Sequence, residues 1–345
     1  MHAGLSLPRQ LRKLCSPLGY HSGACALQWR RLARQRGLTA VLCYHRVLAS
    51  RQRRKAGMTV DEGITSATFE AQIRFMLRHF EPVTPSQALQ PGAGRPRFAV
   101  TFDDGYADNF LVAAPILRRL GVPAAFYVVS GYVGSHRRFW WDRLAALLRE
   151  APAGRLPCDG LLPGTDLPEQ LPLTTEAERR DATERLGAAM RRRPTTELPA
   201  VLDRLAARLQ VQERPAEGDA LMDWAQLRTL AGQGFEIGAH SADHLNLAQV
   251  DAQELERQGA GAKRCIERET GQPVATFAYP YGGPDHCNEA VRAAVRRAGY
   301  QGAYTAIDGV ITGQQEPTAL PRVALNWPLG FACAHNIDNA IRASI

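Results

Sequence analysis

The run from Phe98 to Tyr106, which reads FAVTFDDGY, constrains the chain more than any other stretch. Its apolar, β-branched first half is typical of a buried strand. The strand ends in Asp103 and Asp104, and Gly105 then permits a sharp turn. Two neighbouring carboxylates repel each other, so when both are ionised they need a cation or a protonated partner. The run therefore predicts either a functional strand end or a solvated Asp-Gly turn.

Apolar runs recur along the chain, and most of them are separated by helical patterns. This alternation predicts parallel βα units, which fit either a TIM-type barrel or a doubly wound sheet. Polar motifs at several strand ends favour the barrel. The seven predicted strands are Leu38–Tyr44, Arg97–Phe102, Val122–Val129, Phe235–Ala239, Val274–Ala278, Tyr300–Thr305 and Leu320–Leu325.

Residues 135–222 interrupt this alternation. A Phe-Trp-Trp-Asp sequence at 139–142 opens a helix, a Pro/Gly-rich stretch covers 151–172, and two charged helical patterns follow. We interpret the segment as a mostly helical insertion in the main domain. No catalytic pattern is found in it, and the Trp pair, Trp140 and Trp141, is expected in the core rather than against the substrate.

The net charge of +8 is concentrated near the N-terminus, because residues 1–60 hold twelve Lys or Arg and no Asp or Glu. We therefore predict a basic extension over residues 1–37 and a catalytic domain over 38–345. Such a segment fits peripheral binding to an anionic membrane, proximity to a phosphorylated substrate, or a solvated extension. Nucleic acid is not expected as a partner, because no known binding motif is present.

The seven cysteines are scattered and contain no CxxC pair, which argues against a disulfide framework and a cysteine zinc site. Arg12, Lys13 and Pro17 interrupt the apolar core that a secretory signal would need. No run approaches the length of a membrane-spanning helix. We predict a cytoplasmic location, at the inner membrane surface if the basic segment binds there.

Two histidines, His240 and His244, follow the predicted strand Phe235–Ala239. If the chain forms one helical turn there, both imidazoles can face one point. Two neutral imidazoles and one carboxylate from the Asp-Asp pair are the protein ligands of a catalytic zinc-like site. The pattern therefore predicts a metal site. A third strand end, Tyr279-Pro-Tyr-Gly, either directs a backbone N–H into the mouth or forms a plain turn.

Thr101-Phe-Asp-Asp-Gly, His240-Ser-Ala-Asp-His244 and Tyr279-Pro-Tyr-Gly occur in this order. Together they resemble the first three motifs of the NodB-like polysaccharide deacetylases, a carbohydrate esterase type. The resemblance covers roughly residues 38–325 apart from the insertion. The first predicted strand, which ends in Tyr44-His45, is similar to that of members associated with exopolysaccharide synthesis, which begin with a Tyr-His strand. It implies a distorted (β/α)7 barrel that removes N-acetyl groups from amino sugars. The implied cofactor is Zn²⁺, or alternatively Co²⁺, Ni²⁺ or Mn²⁺.

The resemblance also implies roles for individual residues. Asp103 corresponds to the catalytic base, and Asp104 to a metal ligand together with His240 and His244. Ser241 would hold the histidine loop by a hydrogen bond. The backbone N–H of Tyr281 is also expected to donate a hydrogen bond to the oxyanion. Contacts with the substrate are expected from Tyr279, Pro280 and Trp224.

The chain departs from the family pattern in two places. The third motif usually begins with an arginine that pairs with the base, but Phe277 and Ala278 precede the tyrosine here. Arg322 in the last predicted strand is the candidate replacement. The family's general-acid histidine is also missing from the last strand. His45 is the candidate acid, since the first and last strands of a closed barrel are neighbours, and it is expected on the side of the metal opposite Asp103.

These observations predict a metal-dependent glycan N-deacetylase. An alternative keeps the site but changes the substrate, giving a deformylase or deacetylase of a lipid-linked sugar. The missing third-motif arginine prompts a further alternative, a non-catalytic glycan-binding relative.

Overall fold

The computed structural model describes residues 23–49, 63–90, 92, 94–212, 220–325 and 330–344. Most of the predicted basic extension lies outside these residues, as do residues 51–62. The strands are β1 (Thr39–Tyr44), β2 (Val47–Leu48), β3 (Ile64–Thr65), β4 (Glu81–Pro82), β5 (Arg97–Phe102), β6 (Ala124–Val128), β7 (Arg155–Pro157), β8 (Gln170–Pro172), β9 (Glu236–Ala239), β10 (Thr276–Ala278), β11 (Gly302–Asp308) and β12 (Leu320–Ala324).

The α-helices of the described residues surround these strands. They are α1 (Ala24–Arg36), α2 (Ser66–His79), α3 (Pro85–Ala88), α4 (Ala114–Leu120), α5 (Trp140–Glu150), α6 (Glu176–Arg191), α7 (Leu198–Leu209), α8 (Trp224–Gly232), α9 (Ala252–Glu256), α10 (Ala262–Thr270), α11 (Glu289–Arg297) and α12 (Gly330–Ser344). Two π-helical turns, Asn109–Ala113 and Arg257–Gly261, precede α4 and α10. None of these helices combines the length and apolar character that a bilayer span requires.

Seven parallel strands close into a barrel. Their order is β1-β12-β11-β10-β9-β6-β5, and β5 pairs again with β1 from Thr39↔Arg97 to Tyr44↔Phe102. The first and last strands are neighbours, with Leu42 opposite Val323. The predicted distorted (β/α)7 barrel is therefore confirmed, and the short strand β4 extends the sheet beside β5.

Side chains alternate between two apolar layers along each barrel strand, as the two-residue period of a strand requires. In β5, Phe98, Val100 and Phe102 pack beneath the surrounding helices, whereas Ala99 belongs to the barrel interior. In β1, Val41 likewise faces the interior. Along each strand, every second side chain faces the barrel interior. Beyond the apolar residues these inward-facing side chains are polar, so polar groups gather at the carboxyl end of the barrel.

The segment at 135–222 has its own hydrophobic core, which confirms a mostly helical insertion. Helices α5, α6 and α7 pack around a cluster that includes Leu147, Leu186 and Leu202. The antiparallel pair β7–β8 covers one side through Leu156 and Leu171. Because this cluster is separate from the two barrel layers, the insertion has a hydrophobic core of its own that stabilises its structure beside the mouth.

Helix α1, the last part of the predicted basic extension, packs against the barrel's helices. The Trp29 ring is buried, lies 5.1 Å from the Phe80 ring and donates its Nε1–H to Asp338 Oδ1 at 2.8 Å. Phe80 directly precedes β4, which begins opposite the first residue of β5. Helix α1 therefore lies near the amino ends of the strands, away from the barrel mouth.

Candidate active site

A cavity of about 280 Å³ opens at the carboxyl ends of the barrel strands. Chemistry concentrates at this end in such barrels, because side chains from several strands converge there. Its polar lining consists of Cys43, His45, Asp103, Asp104, Arg191, His240, His244, Tyr279, Tyr281 and Arg322.

Asp103 and Arg322 form a buried bidentate ion pair. Arg322 Nη1–H donates to Asp103 Oδ1 at 2.8 Å, and Nη2–H donates to Oδ2 at 2.6 Å. Arg322 Nε–H also donates to the Thr305 carbonyl at 2.8 Å, which fixes the guanidinium plane. Burial raises the pKa of Asp103, but the Arg322 charge opposes this effect, and the net pKa lies below its ordinary value. Asp103 is thus ionised at neutral pH.

The strand register explains this pairing. Asp103 continues the inward row of Ala99 and Thr101, and Arg322 follows the inward Leu320 by two residues. Arg322 Nη1–H also donates to Thr101 Oγ1 at 3.2 Å. The last strand thus brings to Asp103 the arginine that the third motif lacks.

Asp104, His240 and His244 form a second buried cluster. Asp104 Oδ1 lies 3.5 Å from His240 Nε2 and 3.4 Å from His244 Nε2. Among the described residues, this carboxylate oxygen has no hydrogen-bond donor. A short contact of 2.7 Å joins His240 Nδ1 to the Ala278 carbonyl, which puts the proton on Nδ1 and leaves a lone pair on Nε2. One carboxylate and two imidazoles directed at one point fit a divalent cation.

The charges of this cluster support the same interpretation. Burial lowers the pKa of His244, so its imidazole is neutral at neutral pH. Burial also lowers the pKa of His240, but Asp103 and Asp104 raise it by more, and the net pKa is raised. Two buried carboxylates therefore draw positive charge to this point, and a bound divalent cation would supply it.

Left-handed backbone conformations shape the site loops. Asp104, Ser241, His244 and Tyr281 have φ values of 73°, 65°, 56° and 62°. Such conformations cost about 1–3 kcal/mol for residues other than glycine and concentrate at functional sites. The helical turn considered for the His240–His244 pair is absent, because the chain there runs as a loop. The loop brings both imidazoles together by local backbone strain.

Two hydrogen-bond acceptors hold the histidine loop. The buried Ser241 Oγ accepts the His244 backbone N–H at 3.0 Å. Gln258 Oε1 accepts the backbone N–H groups of Ala242 and Asp243 at 3.0 and 2.9 Å. Gln258 belongs to the π-helical turn at Arg257–Gly261, between α9 and α10. Sequence reasoning missed it, because its role depends on that local widening of the helix.

The third strand end lies at the same mouth. Within the described part of the chain, the Tyr281 backbone N–H has no hydrogen-bond acceptor. The Tyr279 hydroxyl donates to the Thr318 carbonyl at 2.8 Å and is therefore already engaged. Pro280 is buried between these two residues. Trp224 does not line the cavity, and packs at the start of α8 against the main core.

His45 lies at the mouth because it continues the inward row of Val41 and Cys43. A His45 ring nitrogen, the Cys43 sulfur and an Asp103 carboxylate oxygen lie within 4.8 Å of one another. His45 is thus beside Asp103, and the expectation that it faces the metal from the opposite side is wrong. Asn109 Nδ2–H, in the first π-helical turn, donates to the His45 carbonyl at 2.9 Å.

The sequence profile of the family described as polysaccharide deacetylase matches residues 91–156 and 172–303, more than half of the chain. The chain belongs to this family. The family consists of hydrolases that act on the carbon–nitrogen bonds of acetylated sugars.

Individual relatives of this polysaccharide deacetylase are distant. YxkH of Bacillus subtilis (strain 168), assigned by name to the polysaccharide deacetylases, is 29% identical over 101 residues. That match covers 29% of this chain and 35% of YxkH. Among solved structures, the deacetylase PplD of Streptococcus pyogenes in complex with acetate has a TM-score of 0.55 and 15% identity, over 88% of this chain and 98% of PplD. For IcaB of Ammonifex degensii, the TM-score is 0.51 and the identity is 19%, over 86% of this chain and 97% of IcaB. These similarities show a shared fold.

The insertion of this polysaccharide deacetylase forms one wall of the cavity, which sequence reasoning missed. Trp140 and Trp141 are half-buried: each packs against a hydrophobic cluster on one side and lines the cavity on the other. Trp141 Nε1–H donates to the Tyr106 hydroxyl at 2.9 Å, and that hydroxyl donates to Asp142 at 2.7 Å. Tyr106 follows the Asp-Asp-Gly turn, so these bonds join the insertion directly to the loop that carries Asp103 and Asp104. The adjacency of two tryptophans was the available signal, but it did not specify which surface they face.

Proposed function

We propose that this chain removes N-acetyl groups from the amino sugars of a poly- or oligosaccharide with the help of a divalent cation. The observation that carries the proposal is the buried Asp103–Arg322 pair beside the Asp104, His240 and His244 cluster. An ionised base and a set of metal ligands thus share one cavity of about 280 Å³. Amide hydrolysis needs both, because an amide is a poor electrophile with a poor leaving group.

Asp104, His240 and His244 would hold the cation. This donor set suits Zn²⁺ and also Co²⁺, Ni²⁺ or Mn²⁺. When bound, such an ion lowers the pKa of a water molecule and polarises the acetyl carbonyl. Ser241 and the Ala278 carbonyl fix the two histidines for this task through their hydrogen bonds.

Asp103 accepts the proton of the attacking water. Its pairing with Arg322 keeps the carboxylate ionised and restricts its rotation, so one face of the group remains directed at the cavity. The backbone N–H of Tyr281 donates to the oxyanion, a contribution worth about 10²–10³ in rate. The strained backbone at Tyr281 keeps that donor from turning toward an acceptor of the protein itself.

His45 protonates the departing amine, without which the tetrahedral intermediate returns to the amide. Its ring is only half-buried, so a proton can be replenished from solvent. The products are acetate and a free amino sugar. Arg322 supplies the partner of the base that the third motif lacks. The missing third-motif arginine is therefore no longer an argument for a non-catalytic glycan-binding relative.

A lipid-linked sugar is the second candidate substrate. Helix α1 exposes Arg30, Arg31 and Arg34, and Leu27 on the same helix is 72% exposed. A basic helix with an exposed apolar residue suits the inner surface of an anionic membrane, which would place the enzyme in the cytoplasm there. Because α1 lies at the end of the barrel away from the mouth, this contact would hold the enzyme near the membrane without directing the cavity at it. Formyl and acetyl groups are both small enough for the same cavity.

Acetate release tests the proposed reaction. Purified protein is incubated with an N-acetylated glucosamine pentasaccharide and, in parallel, with membrane-extracted sugar lipids. We expect acetate from the pentasaccharide, loss of release with a chelator and recovery with Zn²⁺. Release from the lipids alone would favour the second candidate, and no release from either would contradict the proposal.

His244→Ala tests the metal ligands in the same experiment. It should lose most of the bound metal and the activity, because a two-ligand site holds divalent ions poorly. His335→Ala is the matched control, since His335 lies on α12 and does not line the cavity. Full metal occupancy in His244→Ala would overturn the assignment of this ligand set.

A further inference from the structure

A second cavity, of about 520 Å³, lies between the insertion and the barrel. Trp140, Trp141 and His244 line both this groove and the active-site cavity. The two spaces therefore adjoin, and a glycan whose acetamido sugar occupies the site can extend its next sugars along the groove. The indole rings offer flat faces against which sugar rings can pack.

The arginines of the groove are largely compensated. Of the described residues that line it, Arg137, Arg138 and Arg143 are cationic and Asp243 is the sole carboxylate. Arg137 is paired with Asp243 at 2.8 Å, and Arg143 is paired with Asp203 at 2.6 Å. These paired arginines therefore give a bound anion little net attraction.

Arg191 differs from the groove arginines and lies at the mouth of the active site. It is the last residue of α6 and is exposed, yet it lines the active-site cavity together with Tyr281. With the described residues it forms no hydrogen bond and no ion pair. Its guanidinium is thus available to a ligand, and a planar fork of N–H donors matches the geometry of a carboxylate or a phosphate.

We propose that the substrate carries an oxyanion, a carboxylate or a phosphate, on the acetamido sugar or on a sugar linked directly to it, and that Arg191 binds it. The inference rests on the proposed deacetylation and specifies its substrate as an anionic glycan. Arg191 selects this substrate and takes no part in bond breaking. It therefore acts on binding and on KM, whereas Asp103 and His45 act on turnover.

Matched substrates test the inference. The first is a tetrasaccharide of alternating N-acetylglucosamine and glucuronate, the second is the same tetrasaccharide with its carboxyl groups reduced to hydroxymethyl groups, and the third is N-acetylglucosamine 1-phosphate. Calorimetry measures binding of each to the full chain, and acetate release gives kcat and KM. The wild type should bind at least one of the two anionic compounds about tenfold more tightly than the reduced tetrasaccharide, and salt should narrow the difference.

Arg191→Gln should raise Kd and KM for the preferred anion about tenfold, leave kcat nearly unchanged, and leave the reduced tetrasaccharide unaffected. Arg191→Lys should retain part of the preference. Arg192→Gln is the control, because it removes an equal charge at the next residue, which lines neither cavity.

The two anionic compounds distinguish a carboxylate from a phosphate as the group that Arg191 binds. Equal affinity of the wild type for charged and neutral compounds would overturn the inference, as would equal effects of the two glutamine variants. Arg191-dependent binding without acetate release from any compound would support the anion site while contradicting the proposed reaction.

Discussion

The barrel mouth and the helical insertion contribute to one cavity in different ways. At the mouth, Asp103, Asp104 and Arg322 are buried, and the neighbouring strands and loops fix their geometry. The insertion contributes Trp140, Trp141 and Arg191, which are half-buried or exposed. Rigid buried groups suit bond breaking, whereas an accessible aromatic and cationic wall suits contact with a polymer. With the proposed function, reaction and substrate choice would be encoded in separate parts of the chain.

His45→Ala tests the barrel side of this comparison and should have the larger effect. Removing the proton donor for the leaving amine should lower kcat by about 10²–10⁴, with bound metal and KM little changed. Cys43→Ala is the matched control in the same inward row. Burial raises the pKa of Cys43, so its thiol is a poor proton donor, and that variant should keep most of its turnover. Normal turnover in His45→Ala would show that another group protonates the amine.

Trp140→Ala tests the insertion side and should have the smaller effect. Loss of the indole removes a wall of both cavities and its 3.1 Å hydrogen bond to the Tyr281 hydroxyl. We expect KM to rise about tenfold while kcat changes only a few-fold, the loss expected for one aromatic contact. Tyr281→Phe is the control, because it removes the same hydrogen bond but keeps the wall. If Trp140→Ala lowered kcat at constant KM, the insertion would share in the chemistry.

The barrel and the grouping of its polar residues were predictable from sequence, because both depend on short-range patterns. A two-residue period along β1 and β12 brings His45 and Arg322 to the mouth, and closure of the sheet makes the two strands neighbours. The Asp-Asp pair and the two histidines were recognisable by residue type, spacing and position after predicted strands.

The rest of the site depends on features that local patterns do not encode. The histidine loop takes left-handed conformations at Ser241 and His244, where a helical turn had been considered. Gln258 reaches that loop from a π-helical turn between α9 and α10. Trp224 and Trp140 are both half-buried tryptophans near helix starts, yet only Trp140 lines the cavity. Tertiary packing decided each of these outcomes.

The neighbouring carboxylates provide the most direct test of the account, because Asp103 is proposed as the base and Asp104 as a metal ligand. Metal content and kcat are measured for Asp103→Asn and Asp104→Asn. Circular dichroism must accompany them, since Asp103→Asn leaves the buried Arg322 without its counter-charge, which costs about 3–5 kcal/mol. For folded Asp103→Asn we predict full metal content and a turnover reduced by 10²-fold or more, whereas Asp104→Asn should lose the metal. Loss of metal in Asp103→Asn in proportion to its activity, or near-normal turnover with the metal retained, would contradict the account.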